Sequence, residues 1–356
     1  MGVRDDRPVA EDLSERDLQV LEAIIDDYIE TAEPVGSRTL ARGHGLEVSP
    51  ATIRNVMSDL EAMGLLEKPH TSAGRVPTPK AFRLYVESIM KVRPLPSRAR
   101  ARIERGYEPA PDDVNALVQR TGQVLSRLTH HAAVVATPRF SQTTYRQIRF
   151  VRLRENRVLA ILVTEAGLVQ NRVLLVEEDV SQAELDRMGR YLDELLGERT
   201  VAEVREAIAE ELAEERAAYD RLLRQALELG SRAVADVDAG DVVVEGQSAL
   251  LDQPEFADPE RLRELLSALE EKQSLLKILE QAERGSGIQI YIGAESDLAG
   301  TDDVAMVLAN YKRGEQVLGA LGVIGPTRMD YARLVPLVEY TATLVGRLLA
   351  GSDGEG

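Results

Sequence analysis

Ser49-Pro50-Ala51-Thr52-Ile53-Arg54-Asn55-Val56-Met57 is the stretch on which the reading of this chain turns. A serine followed by proline starts a helix, because the hydroxyl caps a free amide and proline suits the first helical position, where no amide partner is needed. Gly64 supplies the stop, so a helix is predicted from about 50 to 63. Within it Ile53, Val56, Met57, Leu60 and Met63 recur at helical spacing and form a core stripe, leaving Ala51, Thr52, Arg54, Asn55 and Ser58 on the other side. These side chains suit base edges in a major groove. Arginine can pair bidentately with guanine and asparagine with adenine, while threonine and alanine can touch a thymine methyl. An isolated helix with such a face would equally be an ordinary solvated helix, so its neighbours decide.

Upstream, Ser14 precedes Asp17 and an apolar stripe of Leu18, Leu21, Ile25 and Tyr28, which predicts a capped helix over about 14–31. After Pro34-Val35-Gly36, Ser37 is read as the cap of a short helix over 38–43 carrying Arg38 and Leu40, ended by Gly43-His44-Gly45. Downstream, Leu65 to Thr78 reads as two extended runs around a turn of Thr71, Ser72, Ala73 and Gly74, a hairpin directly behind the candidate recognition helix. Helix, helix, recognition helix and hairpin make a winged helix-turn-helix. The hairpin is then the wing, with Thr71, Ser72, Gly74 and Arg75 at its tip and Lys68 and His70 beside them, suited to phosphate oxygens or a minor groove. Thr78-Pro79 repeats the cap-and-proline signal and opens a further helix with an apolar stripe of Phe82, Tyr85, Val86, Ile89 and Met90.

The formal charge of −17 argues against nucleic acid until its distribution is considered. Between Gly36 and Arg83 seven bases face four acids, and between Lys91 and Arg105 six bases face Glu104 alone. The second island contains Pro94 and Pro96 and is read as a basic linker over 91–106. Acid gathers between Glu177 and Glu228, where it keeps the molecule soluble and repels DNA from other surfaces. Cysteine is absent and the four histidines, His44, His70, His130 and His131, show no metal-ligand spacing, so neither cofactor nor metal is expected. No convincing nucleophile and base are paired, and enzymatic function is not expected. The N-terminal residues carry no apolar export signal, no apolar run is long enough to span a membrane, and the cytoplasm is the expected compartment.

A chain of 356 residues exceeds one typical core and predicts several domains. After a helix carrying Val114, Leu117, Val118, Thr121, Val124, Leu125 and Leu128, strands are expected at 132–136, 148–153, 158–163 and 169–176, then at 288–292, 304–308 and 317–324, with a closing helix at 327–349. The expected division is 1–90 winged helix-turn-helix, 91–106 linker, 107–180 and 254–350 two halves of a mixed domain, 181–253 a mostly helical insertion, and 351–356 a disordered tail. Gly285-Ser286-Gly287 and the set Gly319, Gly322 and Gly325 lack the order and spacing of a dinucleotide fingerprint; the second set is read as allowing tight packing along a strand.

Pro34 to Arg38, Ser49 to Met57, Leu60 to Leu66, Pro69 to Thr78, Phe82 to Met90, Glu245 to Asp258, Tyr291 to Glu295 and Gly319 to Ala342 resemble, in order and over nearly the whole chain, the HrcA family of heat-inducible transcription repressors. Ala81-Phe82 departs from the family pattern, where glycine and a tyrosine or similar aromatic are expected. The resemblance implies an α+β multidomain chain: a winged helix-turn-helix, a GAF-like α/β domain and an inserted, mostly helical dimerising domain. It also implies a homodimer on double-stranded DNA, repressing class I heat-shock genes until heat stress from the CIRCE inverted repeat upstream of chaperone operons, with the GroE chaperonin as partner. Base contacts are expected from Arg54 and Asn55, base or phosphate contacts from Thr52 and Ser58, and supporting contacts from Ser37, Arg38, Ser49 and Ala51. A ligand-gated winged-helix regulator responding to a metabolite is the competing reading.

Overall fold

The computed structural model describes residues 13–43, 48–69, 74–109, 114–138, 143–153, 156–165, 169–176, 180–197, 199–213, 221–234, 241–298 and 302–351. The chain begins with α1 (Glu15–Thr31), whose first turn is closed reciprocally: the Asp17 amide donates to Ser14 Oγ at 3.2 Å and the Ser14 amide to Asp17 Oδ2 at 3.0 Å. Next, α2 (Ser37–Gly43) starts one residue earlier than expected, because the Gly36 carbonyl takes the amides of Thr39 and Leu40 and Ser37 lies inside the first turn. In α3 (Pro50–Ala62) the Ser49 hydroxyl accepts from the Thr52 amide at 3.1 Å. Ile53, Val56, Met57 and Leu60 are buried with Val20, Leu21, Ile24 and Ile25 of α1 and form the core of the head, whereas Met63, expected on the same stripe, caps the end of α3 and is 42% exposed.

The hairpin is short. Strand β1 (Leu66–Glu67) pairs antiparallel with β2 (Val76–Pro77), matching Leu66 with Pro77 and Glu67 with Val76. The next helix, α4 (Pro79–Leu84), continues as one π turn over Tyr85–Ile89, and the Thr78 hydroxyl that opens it also donates to the Gly64 carbonyl at 2.8 Å. Residues 91–106 are not a free tether. Ser97–Arg105 form α5, Ile103 is fully buried, and the basic run is carried by an ordered helix laid against the rest of the protein.

The body starts with α6 (Val114–Thr129) and β3 (Ala132–Ala136). Strand β3 pairs on one side with the strand at 242–245 and on the other with the strand at 316–326, not with the run that follows it in sequence. That run, β4 (Tyr145–Arg152), β5 (Arg157–Thr164) and β6 (Val169–Leu175), forms its own three-stranded antiparallel sheet. One face of this sheet is covered by α7 (Gln182–Leu196) and α9 (Arg221–Val234), with α8 (Val201–Ala213) behind them, around a separate core of Tyr145, Ile148, Phe150, Leu162, Met188, Leu192 and Leu227. The insertion therefore begins before β4, near residue 143, and ends before residue 242, in place of the expected 181–253. Strand propensity places residues in extended backbone but does not choose their partner, which is set by distant residues.

The chain returns to the body in β7 (Val242–Glu245), α10 (Pro259–Glu270), α11 (Lys272–Arg284), β8 (Ile288–Ile292), β9 (Val304–Arg313), β10 (Gln316–Pro326) and α12 (Tyr331–Gly351). These strands complete a five-stranded antiparallel sheet in the order β7-β3-β10-β9-β8. Ala133, Val135, Val307 and Val323 face α6 and α12, while Ala132, Val134, Met306 and Ile324 face α10 and α11. Two-sided burial accounts for the unbroken apolar sequence of β3. At Gly322 an added Cβ would meet the Val307 carbonyl oxygen at 2.0 Å, so this glycine serves sheet packing. The expected tail lies outside the described residues beyond Gly351, which still belongs to α12.

Candidate nucleic-acid interface

Helix α3 carries its core side chains inward and leaves Ala51, Arg54, Asn55 and Ser58 exposed. Thr52 is half-buried because its hydroxyl lies 2.9 Å from Ser49 Oγ, where both complete the cap. Ser49 itself is exposed, but its oxygen is occupied by the helix start. Arg38 is exposed on α2 and Ser37 is half-buried beside it. Thr39 and Arg42 are also exposed on α2, an extension of the polar surface that motif reading passed over. Arg54 and Asn55 thus sit on a helix whose opposite face is locked in a core, the condition for presenting two side chains at fixed geometry.

The wing differs from its expected form. His70, Thr71 and Ser72 lie outside the described residues. Arg75 is not a free cation at the tip: only 16% of its side chain is exposed, and its Nε donates to Glu61 Oε2 at 2.8 Å. Its amide and carbonyl also exchange hydrogen bonds with Val35 at 2.9 and 2.8 Å, joining the wing to the turn before α2. Lys68 reaches the same carboxylate at 3.4 Å but remains exposed. Glu61 is therefore the wing's anchor. Desolvation pushes its carboxyl up, but the hydrogen bonds and charges of Arg75 and Lys68 outweigh this and hold it below the ordinary value of 4.5. An acid at the end of α3 followed by two bases on the hairpin was the available sequence signal.

Gly74 also belongs to this joint. A Cβ there would lie 2.3 Å from the Val35 carbonyl oxygen and 2.7 Å from that of Pro34, so the wing can approach the turn only without a side chain. This close contact explains the glycine without a phosphate.

The head is seated on the body through α4. Phe82 lies 6.4 Å from the Tyr28 ring and 6.2 Å from that of Tyr331, with Ala81 fully buried beside it. A cleft of about 890 Å³ opens nearby between α1, residues 91–96 and the start of α12, lined by Glu22, Asp26, Tyr85, Arg93, Asp330 and Arg333. Among the described residues no group of three histidines or carboxylates is placed to hold a metal, and no helix is long and apolar enough to cross a membrane.

Comparison with known proteins agrees with this layout. Residues 12–89 match the family model described as winged helix-turn-helix transcription repressor, HrcA DNA-binding, and residues 115–335 match that of the HrcA protein C terminal domain. The heat-inducible transcription repressor HrcA of Geobacter sulfurreducens is 49% identical over 340 residues, covering 96% of this chain and 99% of its own. That of Syntrophobacter fumaroxidans is 44% identical over 340 residues, covering 95% and 98%. A solved crystal structure described as that of a hypothetical protein shares the fold with a TM-score of 0.62 at 24% identity, over 96% of this chain and 99% of that one. The family is one of DNA-binding regulators rather than enzymes, its first model covers the head built around α3, and this chain belongs to it: the HrcA family of heat-inducible transcription repressors.

Proposed function

We propose that two copies of this chain pair and set their α3 helices into successive major grooves along one side of a CIRCE-type inverted repeat upstream of chaperone operons, repressing them until heat stress. A two-fold dimer requires a two-fold operator. The observation that carries this reading is the outward row of Arg54, Asn55 and Ser58 on a helix anchored by four buried residues. Arg54 and Asn55 read bases; Thr52, Ser58, Ser37, Arg38 and Lys68 supply phosphate or base contacts, joined by the wing residues His70, Thr71 and Ser72. Arg75 and Gly74 support the wing from its root.

Pairing is assigned to the inserted unit, the dimerising domain of the family likeness. Its outer sheet face shows Val151, Val169, Val173 and Leu175 between 40% and 63% exposed, and the register sets Val151, Leu159 and Val173 in one row across three strands. A contiguous apolar patch of this kind is the mark of a protein interface. The body is GAF-like by family likeness, and its single antiparallel sheet with helices on both faces supports that reading. By family likeness the protein works in the cytoplasm and the GroE chaperonin maintains the active repressor, so that chaperonin occupied by unfolded clients leaves less of it. Footprinting of the purified protein on its own genomic DNA, with and without chaperonin, tests the proposal: a protected inverted repeat before chaperone genes supports it, and protection without inverted symmetry overturns it.

The cleft between α1, residues 91–96 and α12 favours one second reading, a small ligand that gates the head. Its signature is a saturable rise in melting temperature with a small molecule, together with a change in DNA affinity.

A further inference from the structure

We propose that two arginine clamps, Arg83 on Glu295 and Arg328, which Glu255 anchors, on the Ile29 carbonyl, fix the angle at which the winged head leaves the body and so determine which spacing between operator half-sites is accepted. This rests on the dimeric reading above and goes beyond it by naming positioning residues that touch no DNA.

The clamps cross the joint in opposite directions. Arg83, on α4 of the head, reaches into the body: its Nε donates to Glu295 Oε1 at 3.0 Å, its Nη2 donates to the Ile290 carbonyl at 2.7 Å, and Nη2 also pairs with Glu295 Oε2. Arg328, on the body just before α12, reaches into the head. Its Nη1 donates to the Ile29 carbonyl in the last turn of α1 at 3.2 Å, its Nη2 to Gln253 Oε1 at 3.1 Å, and its Nε to Glu255 Oε1. The last-turn carbonyls of a helix lack amide partners and form its negative end, a fitting site for a guanidinium. One such attachment would leave a pivot. A second, the Ile29 carbonyl held by an arginine that Glu255 and Gln253 fix within the body, removes the rotation.

The chemistry makes each clamp stiff. A guanidinium is planar and presents its donors in a fixed fork, so several bonds from one group define direction as well as distance. Arg328 and Glu255 are each only 15% exposed, where water competes weakly. Glu295 is itself held by the Ile292 amide at 3.0 Å, so the acceptor does not swing. At the same contact Gly293, with φ of +60°, lets Pro79 at the start of α4 come so close that an added Cβ would lie 3.2 Å from the proline Cβ.

Spacing follows from stiffness. Two base pairs added between half-sites rotate one against the other by about 70°, a change that a fixed head cannot follow and a loosened head can. The test uses the full chain and synthetic duplexes: a CIRCE-type inverted repeat, the same repeat with its spacer lengthened or shortened by two base pairs, and a single half-site. The variant carries R83Q, E295Q, R328Q and E255Q, which removes both partners of each pair and leaves no buried charge unpaired. Wild type is expected to lose about tenfold or more on either altered spacer, and the variant about threefold or less, with half-site affinity unchanged. R83K, which keeps the charge but loses the fork, falls between them. Retention of the wild-type spacing penalty in the variant overturns the proposal. Parallel loss of half-site binding also overturns it, assigning the arginines to the folding of the head. A wild type that binds inverted repeat and half-site equally removes the dimeric reading itself and the clamp proposal with it.

Discussion

The outer row of α3 and the outer face of the β4-β5-β6 sheet are both left bare by the chain, and their chemistry is opposite. On α3 the bare residues are Arg54, Asn55 and Ser58. On the sheet they include Val151, Val169, Val173 and Leu175, with Arg157 and Asn171 exposed among them. Both elements bury their other face in a firm core, so neither surface is exposed through poor packing. A polar row costs little in water and gains directional bonds to base edges, whereas an apolar face gains only by leaving water. Under the proposed function, the contrast suits a polyanion to one and a second copy of the chain to the other.

The comparison is most easily broken at the sheet. Replacing Val173 and Leu175 by glutamate is expected to convert a dimer into a monomer of 39.2 kDa in sedimentation, because the new charges would be desolvated at the interface. Affinity for an inverted repeat should fall about a hundredfold or more as the second contact ceases to be intramolecular, with half-site binding retained. An unchanged dimer would take the interface away from this face. Gly74→Ala probes the contact that braces the wing against the turn before α2. It is expected to cost about 1 to 3 kcal/mol, read from chemical denaturation, since its methyl group overlaps two carbonyl oxygens. An unaltered midpoint would show that the wing root yields.

Glu61 sharpens the polar side of the comparison. Its folded carboxyl titrates below the ordinary 4.5, so the stability it gives the wing is present above that value and is lost as pH falls through the lower folded one. Glu61→Gln should abolish that acid-dependent loss and release Arg75 towards phosphate, steepening the salt dependence of non-specific binding by about one unit of slope. An unchanged slope would mean that Arg75 does not reach DNA when freed.

Much of this was legible in sequence, and the reasons differ by region. Caps and periodicity are local, and Ser14 with Asp17, Ser49 with Pro50, and Thr78 with Pro79 mark three helix starts to within a residue. The insertion boundary was not, because whether β4 joins β3 depends on pairs such as Val134 with Gly322, separated by almost two hundred positions. A signal was nonetheless present. Ala132 to Ala136 is apolar throughout and buried on both sides, whereas Tyr145 to Arg152 alternates and buries one side only, a mark of different sheets. The pairing of Arg75 was hidden for a related reason: Glu61, fourteen residues earlier, becomes its neighbour only through the fold. Arg83 and Arg328 were equally opaque, since Glu295 and Glu255 become neighbours only through the fold.

Direct readout by α3 is tested most directly by equilibrium binding of wild type, Arg54→Ala and Asn55→Ala to operator and scrambled duplexes at one fixed salt concentration. Each substitution is predicted to cost about 1 to 3 kcal/mol on the operator, with relaxed preference at one base position and little change on the scrambled duplex. Equal losses on both duplexes would contradict the account, because they would make the exposed row of α3 a general phosphate contact.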